Sequence, residues 1–286
     1  MSTPRTTSAT RGLSSGAVKI GTGLLVGALV VGAGVSSVRA GQHTSTASTG
    51  NPVKTHPAPA LFPAAQAAPI GRFLAAQKPI ADRAFAAWSA GHPTQDDAAF
   101  TAFVTATVPP PPDAAQQAVE LGELHRLAAA RTPAGIAAAS WLETYGKKDV
   151  WKLYVKDATE LQPNGAQDRA KAELKTDTAL AKALTASLQA KYARQAPYIT
   201  DPSLRPGNTT ASKSSYPSKH AVYIYSELAL LTRLDPGRAT EFQAMVDQVA
   251  YSRLYAAGHY RSDLVAGALV GDLLGDYEAR GTTSAS

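Results

Sequence analysis

From Asp113 onward, apolar residues recur at three- and four-residue spacing through nearly every segment, and strand-type alternation is scarce. The pattern predicts helices over Asp113–Ala130, from the Thr132-Pro133 cap to Tyr145, over Ala166 to about Gln195, over Ser218 to about Leu234, and over Ser262–Tyr277. A turn at Asp235-Pro236-Gly237 opens a further long helix that reaches Ala257 or beyond. Upstream, periodic stretches around Phe73–Trp88 and Asp96–Val104 form a helical lead-in, which the run Val108-Pro-Pro-Pro-Pro-Asp113 stops. Between Ala196 and Tyr216, the residues Pro197, Pro202, Pro206 and Gly207 predict a loop that can form one wall of a pocket. The fold class that follows is all-α, a single helical bundle over residues 70–280.

The N-terminal pattern is different. Residues 1–19 are polar and carry Arg5, Arg11 and Lys19, and an uncharged run then extends from Ile20 to Ser36. This is the layout of a secretory signal, with Val38-Arg39-Ala40 ahead of a cleavage point, so residues 1–40 are expected to direct export. An uncleaved anchor, with residues 20–37 associated with a membrane, is the second reading. The expected location is therefore secreted or extracytoplasmic. Residues 41–69 are rich in Ser, Thr, Pro, Gly and Ala without a periodic apolar face, as expected of a flexible linker.

Composition narrows the function. The 286 residues are 44% hydrophobic, enough for one sizeable domain, and contain no cysteine, so neither disulfides nor a thiolate metal site can form. The net charge of +6 favours anionic substrates, but Lys and Arg are scattered along the sequence rather than gathered in one patch. No basic stripe is interleaved with aromatics, and no nucleic-acid partner is expected.

The chemistry concentrates in two short segments. In Ser252-Arg253-Leu-Tyr-Ala-Ala-Gly-His259-Tyr-Arg-Ser-Asp263, a fixed cation, an imidazole and a carboxylate fall within three helical turns. If the backbone is helical there, His259 and Asp263 share a face, and the carboxylate can accept from the imidazole and leave the other ring nitrogen free to attack. The planar fork of Arg253 suits phosphate oxygens. In Tyr216-Pro217-Ser218-Lys219-His220, Ser218 is a helix N-cap, and the amides after it favour an anion. No His-x-x-x-His pair or acidic cluster appears, so no cofactor and no metal is expected.

These two motifs, in this order and separation, resemble those of the type 2 phosphatidic acid phosphatase superfamily, which includes bacterial class A acid phosphatases and vanadium haloperoxidases. The resemblance covers roughly the C-terminal half and implies an all-α bundle of that type. The third motif matches at every defining position, whereas the second carries Lys219 where the family has Gly. That Lys either replaces a missing phosphate-binding cation or points to solvent. The first motif, normally Lys, six residues and Arg-Pro, is degenerate. Registering Pro197 with its proline puts Ala196 and Gln189 at the cationic positions, with Arg194 and Lys191 each two positions away; Arg205-Pro206 ranks second.

The resemblance implies that His259 is the nucleophile of a phosphohistidine mechanism, that Asp263 fixes its tautomer, and that His220 protonates the leaving oxygen. It further implies that Arg253 and Ser218 hold the phosphate, with Lys219, Arg194 and Lys191 the candidates for the cations that the degenerate first motif does not supply in register. The expected substrate is a phosphorylated small molecule and the expected activity a metal-independent phosphomonoesterase of the acid phosphatase type. Two alternatives stand beside it, a haloperoxidase whose cradle holds vanadate and an inactive binding member of the same fold.

Overall fold

The computed structural model describes residues 51–206 and 214–283. The predicted signal at 1–40 and the start of the linker therefore lie outside the described residues. Among the described residues the chain is helical, with a single isolated bridge, between Gln195 and Ser214. None of these helices is long and apolar enough to cross a membrane.

The helices follow one another as α1 (Pro52–Thr55), α2 (Ala64–Ala75), α3 (Lys78–Ser89), α4 (Asp97–Thr107), α5 (Ala114–Ala129), α6 (Pro133–Tyr145), α7 (Asp149–Thr159) and α8 (Ala166–Tyr192). After a short α9 (Pro197–Thr200) come α10 (Lys219–Leu234), α11 (Ala239–Tyr255) and α12 (Arg261–Thr283). Several starts are set by side chains that satisfy the free N–H groups of the first turn. Asp96 accepts from the amides of Ala98 and Ala99, Asp113 from Gln116, and Thr132 from Gly135 ahead of a proline at the first helical position.

Two expectations are corrected. Residues 51–69, which composition assigns to the linker, are docked on the bundle: Phe62 is buried against Tyr251 and Tyr255, and its backbone exchanges two hydrogen bonds with the Gln248 amide at 2.9 and 2.8 Å. The packed region thus begins well before residue 70. The stretch around Phe73–Trp88 is two helices broken at Ala76-Gln77, with Pro79 starting the second.

α10 and α12 form the centre. α10 sends Ile224 and Leu231 into one core cluster and Val222 and Tyr223 into another, and α12 divides Leu264 and Ala268 from Val270, Leu273 and Leu274 in the same way. A helix apolar all round is one buried all round. The two approach closely because Gly267, Gly271 and Gly275 line the facing side of α12. A methyl group on Gly271 would lie 2.6 Å from the Val222 carbonyl oxygen, and one on Gly267 2.7 Å from that of Ser218. This contact fixes the start of α10, where the second motif sits, against the start of α12, where the third motif ends.

Candidate active site

Ser218 is fully buried and is the N-cap of α10, its hydroxyl accepting from the Ala221 amide at 3.4 Å. Lys219 is the first helical residue. Among the described residues positive φ occurs only at Ala193, Ala257 and Gly165, so a lysine in place of glycine here meets no left-handed backbone and no strain. Its ammonium lies 5.7 Å from the centre of the Tyr223 ring.

His220 Nε2 stands 3.2 Å from the carbonyl oxygen of Glu143. A carbonyl can only accept, so the proton of the neutral ring is on Nε2 and the lone pair on Nδ1. Burial pushes the imidazole pKa well below its usual value, and Lys147, the His259 ring and Lys219 nearby push it further. The second and third motifs therefore meet in space around this ring.

His259 does not sit in a helix. α11 ends in a Schellman cap, with the Gly258 amide donating to the Arg253 carbonyl and the Ala257 amide to that of Leu254, and Ala257 taking φ 51°. The chain then turns through His259 and Tyr260 before α12. His259 Nδ1 is 3.0 Å from the Ser215 carbonyl oxygen and 3.7 Å from Asp263 Oδ2. The carbonyl takes the Nδ1 proton, and the lone pair is on Nε2. The tautomer expected from Asp263 is thus present, but the backbone carbonyl of Ser215, just ahead of the second motif, sets it. A second tie joins the motifs, from the Ser218 amide to the Asp263 carbonyl at 2.9 Å.

Asp263 is committed elsewhere. It is fully buried, its Oδ2 accepts from the Tyr260 amide at 2.7 Å, and its Oδ1 accepts from Arg194 at 2.7 Å. Arg194 also donates to Ser262 Oγ at 2.7 Å and to Glu120 at 3.2 Å, and lies 3.9 Å above the Tyr260 ring. Glu120 in turn caps α12 by accepting from the Ser262 amide at 2.9 Å. The expected phosphate-binding role of Arg194 is corrected accordingly, because two buried carboxylates already hold its charge behind the histidine. Lys191 is corrected too. It is exposed near the end of α8, where its ammonium donates to the Thr105 carbonyl at 2.9 Å. Arg205 lies over the Tyr198 ring.

Arg253 is buried, and burial pulls its guanidinium pKa down to about 9. It pairs with the Glu143 carboxylate, donates to the Ala139 carbonyl at 3.1 Å and to Ser252 Oγ at 3.1 Å; Ser252 donates to the Val249 carbonyl at 2.6 Å. Glu143 is one-third exposed, so an incoming phosphate would compete with a movable carboxylate for this arginine.

Three participants escape the motif reading: Glu143, Lys147 and the Ser215 carbonyl. Lys147, at the α6–α7 turn, is half-buried, has no hydrogen-bond or ion-pair partner among the described residues, and has its ammonium pKa lowered by burial and by Lys148. It acts on His220 as a positive neighbour. No spacing marks it, because it reaches the histidines from another helix pair.

The cluster thus holds two imidazoles, each with one ring nitrogen not tied to a backbone carbonyl; Lys147 and Lys219 lie near His220, and Arg253 meets the same Glu143 that His220 does. No curated protein matches the chain. Residues 174–276 match the family model described as the PAP2 superfamily, whose members are generally phosphatases or related hydrolases. That span contains Ser218, His220, Arg253, His259 and Asp263, and over it the chain is similar to the PAP2 superfamily.

Proposed function

We propose that the protein is a phosphomonoesterase that works through a phosphohistidine on His259. The observation that carries the reading is the His259 ring itself, tied at Nδ1 by the Ser215 carbonyl so that Nε2 is left for attack, close to His220 and its neighbours Lys147 and Lys219. Nε2 attacks phosphorus, the phosphorus–oxygen ester bond breaks, and the leaving oxygen takes a proton from His220. Water then attacks the phosphohistidine, His220 receives its proton, and inorganic phosphate and the free imidazole are restored. Lys219, Arg253 and the amides after Ser218 stabilise the charge on the transferring group. Lys147 takes the place of the missing first-motif cations.

The pH dependence follows from His220. It must be protonated to act as the acid, and burial with its positive neighbours holds it neutral unless the solution is acidic. The rate at low substrate is therefore expected to climb from neutral to acid pH. A bound phosphate dianion favours the imidazolium, so the profile at saturating substrate shifts to higher pH.

The test is hydrolysis of a chromogenic phosphomonoester without added metal across that range, beside His259→Ala and His220→Gln. The expected result is turnover abolished by the first substitution and reduced on the order of a hundredfold or more by the second. Turnover that survives His259→Ala would remove the reading. Vanadate-dependent bromide oxidation by an inert phosphatase would install the haloperoxidase alternative.

A further inference from the structure

The cations that are scattered along the sequence are gathered in space. A groove of 860 Å³ between α7 and α8, closed at one end by α1, is lined by Lys54, Lys148, Lys152, Lys156, Lys171 and Lys175. On α7 the lysines recur every fourth residue, as they do on α8, so on each helix successive lysines rise about 6 Å along the axis, and both rows line the groove. All six side chains are exposed. Lys152 pairs with Asp149 at 2.8 Å and Lys171 with Asp168 at 3.7 Å, while Lys54, Lys148, Lys156 and Lys175 have no acidic partner among the described residues. No Asp or Glu lines the groove. Like charges held this close repel unless an anion lies between them.

We infer that this groove binds an extended chain of phosphates, inorganic polyphosphate, as a site additional to the histidine cluster. Its two lysine rows match a ligand with closely repeated charge. The floor is Leu153, Leu174 and Pro52, with no aromatic side chain on which bases could stack. A bilayer-docking face would carry protruding apolar residues beside the cations. The exposed large apolar side chains, Phe73, Ile80, Val119, Ile136, Leu161 and Ile199, lie outside the groove. Lys148 adjoins Lys147 in the chain, so the positive field continues from the groove to His220. The inference does not rest on the phosphatase reading, because binding is measured without turnover.

The experiment is titration of the full chain into fluorescently labelled polyphosphate over a range of salt concentrations. It compares Lys156→Glu/Lys175→Glu with Arg83→Glu/Arg126→Glu, two exposed cations away from the groove with the same change in net charge. The groove variant is expected to bind at least about tenfold more weakly, and its slope of log affinity against log salt to fall by about one to two units. The control variant is expected to stay within about twofold of the original chain. Matched melting curves establish that all three proteins are folded. Equal losses in both variants would mean that net charge alone attracts the polymer and would overturn the site. So would absence of binding, or stronger binding at equal phosphate concentration to single-stranded DNA or to vesicles of anionic phospholipid.

Discussion

Arg194 donates to Ser262, Asp263, Gln117 and Glu120, and rests on the Tyr260 ring, with only Nε left without a partner. Removing one member of such a buried network leaves carboxylates uncompensated, so Arg194→Ala is expected to cost about 3–5 kcal/mol of stability. Urea unfolding measures it. A phosphate-binding Arg194 would instead give unchanged unfolding and a raised KM. Ser218, His220, Arg253 and His259 are legible in the sequence, because each motif is local and its chemistry lies within a few residues. What is not legible comes from elsewhere in the fold. The Ser215 carbonyl holds His259 where the spacing points to Asp263, and Asp263 spends both oxygens on Arg194 and the Tyr260 amide. Lys147 and Glu143 arrive from the end of α6, which no spacing ties to either motif.

At the scale of helices, the α10–α12 contact decides how well the motifs are aligned. Gly271→Ala would drive a methyl group against the Val222 carbonyl and the Tyr225 Cβ, both under 3 Å, and backbone cannot move aside as a flexible side chain can. Such overpacking typically costs roughly 1–3 kcal/mol. Separating the helices also stretches the Ser218–Asp263 tie, so a lower melting temperature is expected together with slower phosphoester turnover. A variant with unchanged melting would show that the two helices have room to spare. The helices with capped starts, α4, α5, α6 and α10, are readable because Asp96, Asp113, Thr132 and Ser218 mark them. α7 is not, because its N-cap is Lys148, which makes no side-chain cap bond. Docking of Phe62 is hidden for a different reason, since one aromatic in a Pro/Ala-rich stretch carries no period.

Over the whole molecule, the pH dependence of stability is set by carboxyl groups buried away from the histidines. Glu227 on α10 has no partner for either carboxylate oxygen, Asp177 on α8 is met only by the Ser226 hydroxyl, and Asp272 on α12 leaves one oxygen unpaired. Burial raises Asp177 to about 7 and Asp272 to about 8, and raises Glu227 well above its usual value. The charges around them are mixed: Glu278 near Asp177, Lys152, Lys147 and Asp149 near Glu227, and Lys78, Asp276 and Asp82 near Asp272. Each group binds its proton more tightly folded than unfolded. Its contribution is therefore fully present below the unfolded carboxylate pKa and lost as pH rises through the folded value. His220 has the opposite sign, since its lowered pKa costs stability as pH falls below that of a free histidine. Three raised carboxyls outweigh one lowered imidazole, so melting temperature is expected to fall from about pH 5 to about pH 8. Asp177→Asn and Asp272→Asn should each flatten that slope, because an amide is neutral throughout. A melting temperature that rises over this interval would mean that these carboxyls are ionised and paired in the folded protein. With the expected slope, acid conditions favour both the protonated His220 that the proposed turnover needs and the fold that carries it.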